Sequence, residues 1–88
     1  MQIWRLLPVD LESHHWAASS HRGTAVVRAE SESNARKMTA RAFGRATRVV
    51  PGKEVNIIPW DHPHLVSAEL FEDSPFNIEG EEEILDPT

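Results

Sequence analysis

Residues 24–38 read TAVVRAESESNARKM, and this stretch decides the fold because a strand pattern changes almost at once into a helix pattern. Thr24–Ala29 is rich in β-branched residues and follows Gly23, which predicts a strand. Ser31 is a favourable N-cap residue, and Glu32 lies in the first turn, where the helix dipole stabilises a carboxylate. The stretch therefore predicts a strand followed directly by a capped helix.

Apolar residues recur on one side of the predicted helix. At about 100° per residue they form a single stripe of the width expected for a helix that packs on a sheet. The members of this stripe are Ala35, Met38, Thr39, Ala42, Phe43 and Ala46. Gly44 is a candidate cap residue, or the helix continues past this glycine to about Thr47, and we favour an end between Gly44 and Ala46.

Three further strands are predicted from apolar runs bounded by proline and glycine. They are Gln2–Leu7, which Pro8 ends, then Val55–Ile58 after a turn at Pro51-Gly52, and finally Leu65–Phe71. The order β-β-α-β-β predicts a two-layer α+β fold, in which one amphipathic helix packs on a mostly antiparallel sheet of about four strands. The long segment Val9–Gly23 is either a functional loop or contains a short extra strand.

The length and composition of the chain restrict its organisation. With 88 residues we expect a single compact domain over residues 1–71, followed by an acidic C-terminal extension over residues 72–88 that is partly packed or flexible. The chain contains no cysteine, which excludes disulfides and thiolate metal sites and favours the cytoplasm. No stretch has a signal-peptide pattern or the roughly 20 apolar residues that span a bilayer, so we expect no membrane partner.

Charge is divided between the two halves of the chain. All nine Lys and Arg residues lie at or before Lys53, so residues 1–53 carry a formal charge of +5 and residues 54–88 carry −10. This asymmetry predicts a protein that acts through charged surfaces. Four roles fit the acidic segment. It could cover the basic helix of its own chain, pair with the helix of another chain, mimic a polyanion, or simply keep the protein in solution.

Basic residues are spaced as a ridge on the predicted helix. Lys37, Arg41 and Arg45 recur every four residues, Arg48 follows, and on a continuous helix all four lie opposite the apolar stripe. They are candidates for binding a partner or a polyanion, because arginine suits bidentate phosphate contacts. The net charge of −5 disfavours nucleic acid. If the helix ends at Gly44, Arg45 and Arg48 leave the ridge.

Histidines and tryptophans supply the remaining candidates. Asp61, His62 and His64 are weak candidates for metal ligands, because two histidines in an extended i,i+2 arrangement point to the same side but lack a nearby fourth ligand. Trp16 and Trp60 are candidates for exposed aromatic contacts, although packing in the core is the favoured interpretation. We assign no catalytic residue and expect no cofactor.

The sequence VRAESESNAR at residues 27–36 and the later Pro59-Trp60 resemble features that recur in small uncharacterised bacterial proteins. The resemblance implies an α+β fold with a capped helix after a strand, and it brings no activity. Our favoured hypothesis is a small non-enzymatic cytoplasmic interaction or regulatory module whose partner is another protein or a second copy. The alternative is binding of nucleic acid or another polyanion through the basic helix face. A third hypothesis is a small metal-dependent enzyme that uses Asp61-His62-Pro63-His64.

Overall fold

The structure is a computed structural model that describes residues 1–47, 52 and 57–87. Within these ranges the chain forms one α-helix and a sheet of four strands. In chain order the elements are β1 (Gln2–Pro8), β2 (Ala25–Ala29), α1 (Glu32–Phe43), β3 (Val66–Leu70) and β4 (Glu83–Asp86). The sheet order is β3-β1-β2-β4, and every neighbouring pair is antiparallel. The predicted α+β fold is confirmed.

The two faces of the sheet carry different side chains because successive residues of a strand point to opposite sides. On the face that α1 covers, Leu6, Val27 and Val66 join Ala35 of the helix in the buried core. The other face carries the charged residues Arg5, Arg28 and Glu69 together with the buried apolar residues Ile3 and Val26. We call these two sides the helix face and the opposite face.

Two strands of the sheet differ from the prediction. Within the predicted strand Val55–Ile58, residues 55 and 56 lie outside the described residues, and Ile57 and Ile58 belong to no strand. The fourth strand is instead β4, which comes from the acidic segment 72–88 and pairs with β2. Ile84 of β4 is partly buried against the core, which explains how so charged a strand joins the sheet.

The segment 9–23 contains a short 3₁₀ helix at His14–Ala18, and Ser19 makes an isolated bridge with Gly44. The 3₁₀ helix places Trp16 in the core, where its ring meets the ring of Trp60 edge to face at 5.5 Å. Both tryptophans are at most 1% exposed, so the favoured interpretation as core residues holds and the alternative of exposed aromatic contacts is wrong. These large rings bury much apolar area, so their burial is a major contribution to the stability of a small domain.

The helix begins and ends where the sequence indicates. The hydroxyl of Ser31 accepts a hydrogen bond from the Asn34 N–H at 3.1 Å, which is the expected N-cap contact. The helix ends at Phe43 with Gly44 as the cap, in an extended rather than left-handed conformation. A Cβ at Gly44 would collide with the Ala40 carbonyl and lie 2.8 Å from a methyl group of Ile58, so close approach explains the glycine.

The buried side of α1 differs from the predicted stripe. Ala42 and Ala46 are exposed, whereas Arg36, predicted outside the stripe, is only 7% exposed. The Arg36 guanidinium donates one hydrogen bond to the Val66 carbonyl at 2.7 Å and another to Glu32 at 3.1 Å. These contacts satisfy the buried charge and connect α1 to the first residue of β3.

Candidate functional site

The four basic candidates do not form one ridge. Lys37 and Arg41 are exposed and lie one turn apart on α1, whereas Arg45 lies after the helix end. The Arg45 guanidinium donates to the Ala17 carbonyl at 2.7 Å and so ties the helix end to the 3₁₀ helix. Arg48 lies outside the described residues. Polyanion binding through Lys37 and Arg41 stays a prediction.

The segment Asp61-His62-Pro63-His64 serves as a turn before β3. The His62 carbonyl accepts hydrogen bonds from the Leu65 and Val66 N–H groups, both at 3.0 Å. Asp61 and His64 are exposed and His62 is partly buried. Among the described residues no three His, Asp or Glu side chains converge in a geometry that would hold a metal ion.

The acidic segment is held by a buried arginine of β2. Arg28 is 8% exposed and lies on the opposite face, where its guanidinium donates to the carbonyls of Glu81 at 2.7 Å and Asn77 at 3.0 Å. It also makes an ion pair with Glu83. Gly80 has a φ of +128°, and a Cβ there would lie 2.7 Å from the guanidinium. Arg28 therefore organises the connection that leads into β4.

A second acidic residue joins this segment to the start of the helix. The carboxylate of Glu82 accepts hydrogen bonds from the Glu30 N–H at 3.0 Å and the Asn34 side-chain amide at 3.1 Å. These two bonds, the backbone one first, hold the pKa of Glu82 below its ordinary value. The acidic segment thus contacts β2 and the helix start rather than the exposed pair Lys37 and Arg41.

The two edge strands of the sheet are protected to different degrees. β4 has only four residues, two of them acidic, Pro87 follows it, and a register shift at Val26/Val27 interrupts its pairing with β2. Short length, charge, proline and irregular pairing are the features that keep edge strands from adding another strand. β3 has five residues in regular register with β1 and contains neither proline nor lysine. Of the two described edges, β3 is therefore the open one.

The pairing of β3 with β1 shows which backbone groups point outward. The Val9 N–H donates to the Leu65 carbonyl at 2.8 Å, and the Phe71 N–H donates to the Ile3 carbonyl at 2.9 Å. Because hydrogen-bonded pairs alternate along antiparallel strands, Ser67 and Glu69 also face β1 with their backbone groups. The N–H and C=O groups of the intervening residues Val66, Ala68 and Leu70 therefore point away from the sheet.

One of these three outward-facing residues is already satisfied. The Val66 N–H donates to the His62 carbonyl, and the Val66 carbonyl accepts from Arg36. Ala68 and Leu70 have no such partner among the described residues, which leaves four backbone groups free at the edge. A free row of this kind is the feature that accepts an additional strand. We call Ala68–Leu70 with these groups the β3 edge.

Side chains around the β3 edge combine one charge with apolar surface. Glu69 lies next to Arg5 of the neighbouring strand β1, and both side chains are on the opposite face. They form an ion pair in which the Glu69 side chain is 46% exposed and the Arg5 side chain is 40% exposed. The Arg5 guanidinium also lies 4.5 Å from the centre of the Phe71 ring. The Arg5 charge is thus already engaged, and Glu72 and Asp73 add exposed carboxylates just beyond the strand.

An apolar cleft continues from the end of β3. Its volume is about 160 Å³, and it lies where the start of β1 meets the chain that leaves β3. Met1, Leu70 and Ile78 line this cleft and are 43%, 43% and 58% exposed. Exposed apolar side chains that line one cleft indicate an interaction site better than scattered ones do, because a single partner can cover them together.

Sequence reasoning missed Arg28, Glu82 and the β3 edge as a site. The alternation of Leu65–Phe71 predicted the strand and its apolar face, and that is the signal from which an edge could have been found. The roles of Arg28 and Glu82 depend on partners about 50 residues away along the chain, as the sequence separations of 53 and 52 residues show. No local pattern marks such contacts.

Comparisons with known proteins provide no relative. No protein-family model, no curated protein and no solved structure matches this chain. In the described part of the chain no helix has the length and apolar character needed to cross a membrane. The interpretation of the site therefore depends on its geometry and chemistry alone.

Proposed function

We propose that this protein is a small cytoplasmic interaction module without enzymatic activity, which binds an extended segment of a partner protein at the β3 edge. The observation that carries the proposal is the set of four backbone groups on Ala68 and Leu70 that have no partner among the described residues, in a regular strand without proline, lysine or a bulge. Adding a strand to an open edge is a common mode of peptide recognition.

The energetics indicate what the partner must supply. Four backbone hydrogen bonds contribute roughly 0.5–1.5 kcal/mol each. Association costs on the order of 4–15 kcal/mol in lost freedom. Hydrogen bonds alone are therefore too weak, and side chains of the partner must also bury apolar surface. Leu70 and the adjoining cleft provide that surface, which supports an interaction site that extends beyond the backbone groups.

A proline at Ala68 tests this function directly. The Ala68 N–H points outward and takes no part in pairing with β1, so Ala68→Pro removes a donor for the partner while the pairing with β1 is kept. Ala68→Ser is the matched control, because it changes the same side chain and retains the N–H. Both variants are first compared with the wild type by thermal unfolding and circular dichroism.

Selection from a random peptide library then measures recognition. We expect peptides that bind the wild type and Ala68→Ser but not Ala68→Pro. The proposal would be refuted by a library that yields no binder of the wild type, or by binders that ignore the proline in a folded variant. Because the library is not biased in charge, this result concerns the edge and not the identity of its ligand.

A further inference from the structure

We infer that the segment recognised at the β3 edge carries a lysine or arginine directly opposite Glu69, with an apolar residue on each side of it. This inference rests on the proposed function and adds the chemistry of the ligand. It follows from the charge of Glu69, the parity of the strand, and the apolar surface beside Leu70.

The position opposite Glu69 is suited to a cation. In an added antiparallel strand the groups of Ala68 and Leu70 form the hydrogen bonds, so the residue facing Glu69 occupies a non-hydrogen-bonded position with a Cβ separation of roughly 4.5–5.5 Å. Arg5 contacts Glu69 from the other side, through the Oε1 oxygen. An ionised carboxylate has about four acceptor sites, so Oε2 remains available to a second cation. The result is a row of Arg5, Glu69 and the partner's cation across three strands.

The two neighbouring positions of the ligand are suited to apolar side chains. They lie beside Ala68 and Leu70 and point to the helix face, because side chains alternate along an added strand. Leu70 is 43% exposed and offers apolar surface on this face. An apolar residue there covers this surface, whereas a charged one would be desolvated without a partner.

Glu69 also makes a second copy of the chain a poor ligand. The register that satisfies all four free groups pairs Ala68 with Leu70 of the second copy, and this places Glu69 opposite Glu69 of the second copy. Like charges directly opposite each other destabilise a strand pair. Centring the pair on Ala68 would instead use the groups of Val66, which His62 and Arg36 already occupy. The acidic surroundings at Glu72 and Asp73 favour a basic ligand in the same way.

Defined peptides test the charge rule. The probe is a capped seven-residue peptide that alternates valine and threonine and has lysine at its centre, so that the valines share one face. The control peptide has glutamate at the centre. Titrations followed by amide NMR shifts are run at low and high salt. We expect the lysine peptide to shift the Ala68 and Leu70 amides and to bind about tenfold more tightly than the glutamate peptide at low salt.

Charge reversal on the protein is the second arm of the test. Glu69→Lys should reverse the preference, so that the glutamate peptide binds more tightly. Glu12→Lys makes the same charge change at an exposed residue of the segment before the 3₁₀ helix and should leave the preference unchanged. Equal binding of both peptides to the wild type, or an unchanged preference in Glu69→Lys, would overturn the inference. So would a lysine peptide that does not bind.

Backbone methylation separates this inference from the proposed function. The valines on each side of the lysine supply the N–H groups that meet Ala68 and Leu70, and N-methylation of both removes these donors. We expect methylation to abolish binding. If it does, but the central charge has no effect, strand addition stands and the charge rule is refuted. If the methylated lysine peptide binds as tightly as the parent, the attraction is electrostatic only and both proposals fail.

Discussion

Replacing Arg28 by methionine should release the acidic segment from the sheet. Methionine retains the apolar stem that packs beneath the segment but removes the guanidinium. The change breaks two hydrogen bonds, to the carbonyls of Asn77 and Glu81, and the ion pair with Glu83. All three partners lie in the acidic segment, so the loss falls on the docking of β4.

The expected cost follows from the exposure of the partners. A hydrogen bond from a charged donor contributes roughly 1.5–3 kcal/mol, and an exposed ion pair about 0–1 kcal/mol. Asn77 and Glu81 are exposed, so water replaces part of what their carbonyls lose, and the Glu83 side chain is 56% exposed. We therefore expect a loss of about 2–4 kcal/mol, out of a total stability on the order of 5–13 kcal/mol for a chain of this length.

Hydrogen exchange of the β4 amides measures this loss where it occurs. A decrease of about 2–4 kcal/mol corresponds to exchange that is roughly 30 to 1000 times faster. Arg5→Met is the matched control, because Arg5 lies on the same face with a half-exposed ion pair, and its loss should cost about 1 kcal/mol or less. If the β4 amides of Arg28→Met exchanged as slowly as those of Arg5→Met, the assignment of Arg28 as organiser would be wrong.

Three further predictions concern the remaining contacts. Gly44→Ala should lower the unfolding free energy in urea by about 1–3 kcal/mol, because its Cβ meets a helix carbonyl with no room to move. Ser19→Ala should cost about 1–3 kcal/mol in the same assay, since it leaves the buried Trp60 N–H without its acceptor at 2.8 Å. The lowered pKa of Glu82 contributes stability at pH values above the pKa of the unfolded state, and this stability is lost as pH falls through the folded pKa. Glu82→Gln should therefore show a shallower loss of stability between about pH 5 and pH 3, measured by urea unfolding at each pH.

The helix ends were predictable because their causes are local. Ser31 caps a neighbour three residues away, and Gly44 ends the helix where a side chain would collide with the preceding turn. The buried face of the helix was not predictable to the same degree. Ala42 lies in the predicted stripe but is exposed, whereas Arg36 lies outside the stripe and is buried. An arginine can be buried when a distant carbonyl, here that of Val66, accepts its hydrogen bond.

The strands show the same division between local and distant causes. Thr24–Ala29 and Leu65–Phe71 contain β2 and β3, because β-branched or alternating apolar residues indicate strands from sequence alone. β4 lacks such a signal, since two of its four residues are acidic and only Ile84 packs against the core. Its place in the sheet depends on Arg28, far away in the sequence, and a pattern read along one segment does not contain that partner.

The division of charge along the sequence becomes a division between surfaces in the fold. Glu83 pairs with Arg28 and Glu82 binds the start of the helix, so the acidic segment uses these carboxylates to secure β4. Among the described residues no acidic side chain of this segment pairs with Lys37 or Arg41, which remain exposed on the helix.

Near the β3 edge the excess charge is negative, whereas the exposed residues Lys37 and Arg41 on the helix are positive. Arg5 is engaged with Glu69, while Glu72 and Asp73 are exposed nearby, so an approaching strand meets an excess of negative charge. This charge favours the basic segment that we propose as ligand, whereas a second copy would place Glu69 opposite Glu69. In the proposed binding mode Glu69 both disfavours pairing with a second copy and selects the charge of the ligand, so Glu69→Lys should change ligand preference without exposing a new edge.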